Sequence, residues 1–166
     1  INMRAETLYF GTVGGTSSNT GSLWRMGIDE KSDATTWGPL LNLLPAGKPF
    51  LAQPSVTIDE KFRTWVIAGT GRLLVNADKT SSAQQSLYGF LDPNPDPSTK
   101  TEVTAVDPTK LFNVSKTVVM DNNQVDELGD KSIIDASFAA FQDKVLAKKG
   151  WVRNYYANTS TTPPTP

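Results

Sequence analysis

Few residues in this sequence could do chemistry, because it contains no histidine and no cysteine. Without those two residue types, Cys/His zinc sites, Ser-His-Asp triads and Cys-His nucleophiles cannot be built, and no disulfide can form. Three stretches remain as candidates: the paired acids Asp59-Glu60, the glycine-rich Gly69-Thr70-Gly71, and the acidic segment 121–126. Four tryptophans could also line a sugar-binding surface: Trp24, Trp37, Trp65 and Trp151.

Each candidate also has a structural interpretation, which we favour. Adjacent strand residues face opposite sides, so Asp59-Glu60 is expected in a solvated hairpin turn and not as a catalytic pair. Gly69-Thr70-Gly71 lacks the spacing and the lysine of a phosphate-binding loop, so we expect a tight turn. Segment 121–126 lacks the loop glycine of a calcium site and has Val125 where an oxygen ligand is needed. The tryptophans are expected to pack between strands. No catalytic, cofactor-binding or metal-binding residue is therefore assigned.

Composition and charge exclude further classes of function. The chain has 166 residues, 38% of them hydrophobic, and a net charge of -1, which argues against a nucleic-acid-binding protein. No apolar run approaches the ~20 residues that span a bilayer. The chain starts at Ile1 with no apolar leader and has its first methionine at position 3, so we expect it to lie inside a longer, exported precursor.

Hydrophobic patterning predicts a mainly β fold with one short C-terminal helix. We expect strands at 6–12, 22–28, 49–57, 63–69, 86–91 and 114–120. The predicted turns and loops are 13–21, 59–61, 76–85, 92–97 and 121–123. The run 39–44 is too short to classify, and the Thr/Pro-rich segment 153–166 is predicted to be a flexible tail after a domain over 1–152.

Residues 136–149 are predicted to form the helix. Phe138, Phe141, Val145 and Leu146 have the spacing of one apolar stripe on a helix. Asp135 or Ser137 can cap its start. Lys148 and Lys149 suit its last turn, and Gly150 can close it.

An internal repeat narrows the choice of fold. The sequence Leu8-Tyr9-Phe10-Gly11-Thr12 leads through a polar loop to Ser22-Leu23-Trp24, with Asp29 beyond. The sequence 66–70, also ending in Gly-Thr, leads through a polar loop to Ser86-Leu87-Tyr88, with Asp92 beyond. Repeated strand pairs of this kind are typical of β-propellers, although similar hairpins also occur in sandwiches and barrels.

The second repeat and the residues around it carry a resemblance to a known family. The stretch 65–72 with Asp78 and 85–92 resembles a hallmark of the C-terminal β-propeller of PilY/PilC proteins, which are associated with the type IV pilus tip. The hairpin 9–26 is similar to the preceding one in that domain, and the helix followed by Gly150-Trp151 is similar to the family's next landmark. The resemblance covers about residues 7–152, and it implies part of a β-propeller with quinoprotein-like blades.

The resemblance also implies a function. PilY/PilC-type proteins are exported through the periplasm to the cell surface, where they support pilus (fimbrium) biogenesis, adhesion and twitching motility. The expected partners are minor pilins, further propeller blades from the same or another chain, and a host or surface ligand. The expected mechanism is recognition by loops 13–21 and 76–85, without enzymatic activity or a cofactor in this segment. The family's calcium loop is not found here, so calcium would bind elsewhere in the parent protein.

Two alternatives remain open at this stage. Related propellers bind pyrroloquinoline quinone and calcium and oxidise alcohols, so a secreted quinoprotein-like enzyme domain is one. A generic extracellular β-domain with an interaction role is the other. Two or three blades cannot close a propeller ring, and we therefore expect this chain to be a fragment or a processed piece completed by other blades.

Overall fold

The computed structural model describes residues 6–14, 20–94, 96, 104–129, 134–135 and 137–155, and its elements are mainly strands. The strands in the described residues are β1 (Thr7–Gly11), β2 (Leu23–Gly27), β3 (Leu41–Leu44), β4 (Ser55–Ile58), β5 (Thr64–Gly69), β6 (Gln85–Leu91), β7 (Phe112–Asn113), β8 (Val118–Val119), β9 (Val125–Asp126), β10 (Ile134–Asp135) and β11 (Gly150–Tyr155). The α-helix among these residues is α1 (Phe138–Ala147). None of the helices described is long and apolar enough to cross a membrane. The mainly β prediction is confirmed.

Strands β1, β2 and β3 form an antiparallel sheet in that order, which we call the first sheet. Side chains alternate along β2 as in any half-buried strand: Leu23 and Arg25 are buried, whereas Trp24 and Met26 are only partly covered. The run 39–44, which the sequence left unclassified, supplies β3.

The second sheet has five strands in the order β4-β5-β6-β11-β7. Neighbouring strands in this sheet run antiparallel, except β11 and β7, which run parallel. Strand β4 lies at one edge and starts directly after Pro54, as expected because proline cannot donate to a ladder. The predicted strand over 49–57 is therefore confined to Ser55–Ile58. A short third sheet has the order β10-β9-β8.

The main core lies where the first sheet packs against one face of the second. Its largest fully buried side chains come from both sheets and from the connection between them, and include Leu23, Leu43, Leu44, Phe50, Val66 and Phe90. Burying such side chains stabilises the folded state by roughly 1.5–3 kcal/mol each, before entropy is counted. This core fixes the two sheets face to face.

Helix α1 covers the opposite face of the second sheet. The Ser137 hydroxyl caps the helix by accepting the Ala140 N–H at 3.2 Å, and Phe141 and Val145 are buried as their spacing predicts. Asp135 lies in β10 and is not the cap. The left-handed residue after the helix is Lys149 (φ 61°), and Gly150 (φ 150°) already begins β11.

Two further sequence predictions are corrected. Residues 114–120 are not one strand, because the chain turns after Val114 and forms only the two-residue β8. Strand β11 continues to Tyr155, so residues 153–155 belong to the sheet. The rest of the predicted Thr/Pro-rich tail, 156–166, lies outside the described residues. All three sheets of the described residues are open, and none closes into a ring.

Gly89 allows Trp151 to lie flat on the second sheet. A Cβ placed at Gly89 would sit 2.4 Å from the indole of Trp151, which is the residue directly opposite on β11. We expect Gly89→Ala to lower the free energy of unfolding by about 1–3 kcal/mol, because the indole must move off the sheet. Urea denaturation measures this change.

Gly69→Ala is the matched control in the same sheet. The added Cβ would have the Leu87 side chain as its nearest contact, at an ordinary 3.7 Å. We therefore expect the free energy of unfolding to change by less than about 0.5 kcal/mol, or to rise slightly. Equal losses of unfolding free energy for the two substitutions would show that the close contact between Gly89 and the Trp151 indole does not cause the loss.

Candidate functional site

The two repeated hairpins end in the same hydrogen-bond arrangement. In the first, the Thr12 N–H donates to the Ser22 carbonyl at 2.9 Å, and the Thr12 hydroxyl accepts the Ser22 N–H at 3.1 Å. In the second, Thr70 makes the corresponding bonds to Ser86, at 2.8 Å in both directions. The Gly-Thr and Ser-Leu pairs of the repeat therefore form one local structure twice.

The segment before β4 joins the two hairpin ends. The Phe50 N–H donates to the Thr12 carbonyl at 3.0 Å, and the Gly71 N–H donates to the Pro49 carbonyl at 2.8 Å. Gly11 permits this approach, because a Cβ there would lie 2.2 Å from the Phe50 oxygen. The ends of both hairpins consequently meet along one chain segment.

This arrangement brings the two predicted recognition loops to the same end of the molecule. We call this surface the loop end and define it as residues 12–14, 20–22, 48–51 and 70–85. Of the first loop, residues 15–19 lie outside the described residues. The described part is closed at its base by the Gly14 N–H, which donates to the Thr20 carbonyl at 2.8 Å.

The second loop has a fixed shape set by Asp78. Its carboxylate pairs with the largely buried Arg72 at 2.9 Å and accepts the N–H groups of Leu74 and Val75 at 2.8 and 3.0 Å. Those two backbone hydrogen bonds and the bonds from Arg72 hold the pKa of Asp78 below its usual value. Residues Asn76–Thr80 then form a 3₁₀ turn.

The loop shape set by Asp78 exposes an apolar patch that the sequence pattern did not predict. Leu73, Leu74 and Val75 are 64, 58 and 53% exposed, immediately before the polar stretch predicted to be the loop. Their signal in the sequence is three apolar residues with no strand or helix pattern around them. Because Asp78 fixes their backbone, these side chains are presented without further ordering of the loop.

A buried ion pair holds the two sheets in this alignment. Arg25 of β2 donates its Nε–H to Asp92, just after β6, at 2.8 Å, and the two side chains are 3 and 1% exposed. The Tyr9 hydroxyl donates to the same carboxylate oxygen at 2.5 Å. Asn94 completes the cluster, because its N–H donates to Asp92 and its carbonyl accepts from Arg25. The charges are thus paired and hydrogen-bonded, as burial requires.

A groove lies on the other face of the second sheet, between the sheet and α1. It has a volume of about 930 Å³, and its lining includes Trp65, Leu87, Phe138, Trp151 and Arg153. Trp65 and Trp151 pack against the apolar side chains of α1, which supports the packing interpretation of these tryptophans. Trp24 and Trp37 lie elsewhere and donate their indole N–H groups to Thr12 and Lys31.

The paired acids lie in the turn between β4 and β5, as predicted. The Asp59 carboxylate accepts the N–H groups of Lys61 and Arg63, the Arg63 guanidinium and the Trp65 indole. Desolvation alone would raise its pKa, but these hydrogen bonds outweigh that effect and lower the pKa. Asp59 therefore shapes the hairpin turn.

The remaining candidates have structural roles. The predicted tight turn at Gly69-Thr70-Gly71 is not formed, because Gly69 ends β5 and Thr70 continues the pairing with Ser86. Gly71, with φ 131°, forms a parallel bridge to Phe50. Asn123 is left-handed in the predicted turn 121–123, and the Asp126 carboxylate accepts the N–H groups of Leu128 and Gly129. Within the described part of the chain, no group of three or more acidic side chains is placed to hold a metal.

No protein-family model, curated protein sequence or solved structure matches this chain.

Loss of the carboxylate at Asp92 tests the inter-sheet pair. We expect Asp92→Ala to lower the free energy of unfolding by about 3–5 kcal/mol, because it leaves the Arg25 charge buried and unpaired. Lys31→Ala is the control, since the ion pair between Lys31 and Asp29 is more than a third exposed and is worth at most about 1 kcal/mol. Similar losses for both variants, measured in urea, would contradict this account.

The Tyr9 hydroxyl makes the cluster sensitive to alkaline pH. Burial, followed by the hydrogen bond to Asp92, raises the pKa of Tyr9 above its usual value near 10. The folded state keeps the phenolic proton where the unfolded chain loses it. This contribution is complete below about pH 10 and is lost as pH rises toward the folded-state pKa.

We therefore expect the stability difference between the wild type and Tyr9→Phe to shrink above about pH 10. Urea titrations of both proteins from neutral to alkaline pH measure this difference. A difference that stays constant over the whole range would show that Tyr9 ionises equally in both states.

Proposed function

We propose that this chain is a non-enzymatic part of a type IV pilus-associated protein that acts at the pilus tip in adhesion, pilus assembly and twitching motility. The observation that carries the proposal is the repeated hairpin. The threonine and the serine of each hairpin make the same hydrogen bonds, and they belong to the stretches that carry the resemblance to PilY/PilC proteins.

The fold that belongs with this proposal is part of a β-propeller. Two features support it. Strands β1, β2 and β3 are an antiparallel meander, and β4, β5, β6 and β11 lie side by side in the second sheet, each antiparallel to the next. The parallel β7 departs from a simple four-stranded blade. Exposed apolar residues outside β4, such as Leu8 and Val118, are the surface that further blades, from the same or another chain, would cover.

The proposed mechanism is recognition at the loop end. The ends of the two hairpins meet there on a shared backbone segment, and the second loop presents Leu73, Leu74 and Val75 in a fixed conformation. Such a surface suits a protein partner with a complementary apolar patch, for which minor pilins or a host surface protein are the proposed candidates. The proposed location is the cell surface, reached through the periplasm, with calcium bound outside this segment if the parent protein uses it.

Deleting the gene in the source organism tests the proposal. We expect fewer surface pili and weaker attachment, counted by electron microscopy and by adhesion assays, with both restored by the wild-type gene. Normal piliation and attachment in the deletion strain would contradict the pilus function.

A complementation series tests the loop end separately. Leu74→Ser is expected to reduce attachment several-fold because it removes an exposed apolar contact that the partner would bury. Leu40→Ser is the control, since Leu40 is 52% exposed but lies at the opposite end of the first sheet. Equal attachment by the two complemented strains would exclude the apolar patch as the recognition surface.

A further inference from the structure

Strand β4 leaves one complete edge of the second sheet unpaired. It pairs only with β5 among the described strands, and all four of its residues are exposed. The Asp59 N–H donates to the Arg63 carbonyl at 3.1 Å, so these two residues are a hydrogen-bonded pair of the β4–β5 ladder. In an antiparallel ladder such pairs recur at every second residue along the strand. The N–H and C=O groups of Val56 and Ile58 therefore point away from the sheet.

Sheet edges of stable monomers are usually protected by charged residues, bulges or covering segments. Pro54 precedes β4, but residues 51–58 contain no charged side chain. The large apolar residues along this edge are uncovered as well: Leu51, Val56, Ile58 and Phe62 are 50, 46, 65 and 90% exposed. This edge thus combines free backbone groups with apolar side chains.

The turn that follows β4 presents its phenylalanine in a fixed position. Phe62 has φ 57°, a left-handed conformation that a bulky side chain rarely adopts. The conformation is maintained by the Asp59 carboxylate, which accepts the N–H groups on both sides of Phe62, at Lys61 and Arg63. A strained residue held outward in this way is suited to contact a second molecule.

We propose that the occupant of this edge is a second copy of the chain, paired antiparallel through β4 about a two-fold axis at Thr57. In this register Val56 lies opposite Ile58 of the second copy, and Ile58 opposite its Val56. Both are hydrogen-bonded pairs, so all four outward N–H groups of the two copies find carbonyl acceptors. A two-fold interface of this kind uses the same patch on both subunits.

The side chains agree with the same register. Val56 and Ile58 of the two copies form apolar cross-strand pairs on one face of the joined sheet. The antiparallel arrangement places the turn carrying Phe62 beside the segment that starts at Leu51 in the second copy. Like charges do not face each other along β4, because the strand and the segment before it are uncharged.

Sedimentation of the full chain over an about hundredfold range of concentration tests the proposal, because self-association follows mass action. We expect a monomer–dimer equilibrium for the wild type. Ile58→Lys should raise the dimer dissociation constant at least tenfold, since a lysine on an edge strand opposes pairing. Leu40→Lys, at a similarly exposed site away from the edge, should leave it unchanged.

Hydrogen exchange locates the contact and does not depend on any variant folding. The amides of Val56 and Ile58 should exchange at least tenfold more slowly at the highest concentration than at the lowest. The Thr57 amide, bonded to β5 in the monomer, should be protected at both. A wild type that stays monomeric, or a dimer that leaves the Val56 and Ile58 amides unprotected, would overturn the proposal. The pilus function could still hold in either case.

Discussion

The buried ion pair between Arg25 and Asp92 is the constraint on which the rest of the structure depends. Removing two charges from water costs several kcal/mol per ion, and only close pairing with further hydrogen bonds offsets that cost. Tyr9 and the backbone of Asn94 supply those bonds. The pair therefore favours the alignment in which these groups meet, and in that alignment the two hairpin ends reach the segment 48–51.

The same constraint explains why the repeat is only partly symmetrical. Both hairpins use a threonine to close their ends, but the two aspartates that follow differ. Asp92 is buried between the sheets, whereas Asp29 has φ 52° and pairs with Lys31 near the surface. The repeat thus builds two similar hairpins. The different environments of Asp92 and Asp29 decide how the hairpins are joined.

Local patterning was sufficient to predict β1, β2, β5, β6 and α1. Alternation along β2, Pro54 before β4 and Ser137 before α1 each have a local physical cause that is visible in the sequence. The ion pair could not be predicted in this way, because its partners are 67 residues apart and each looks like an ordinary surface residue. The exposed Leu73–Val75 patch was missed because Asp78, further along the chain, fixes it. Residues 114–120 have the composition of a strand, but the turn after Val114 interrupts it.

Native-state hydrogen exchange tests most directly whether the two sheets form one unit. The account predicts that the Thr12 and Thr70 amides, one from each hairpin end, open with the same free energy, and that Asp92→Asn lowers both by the same amount. Separate opening free energies, or a loss confined to the second sheet, would contradict it, because the loop end would then not be held together by the buried pair.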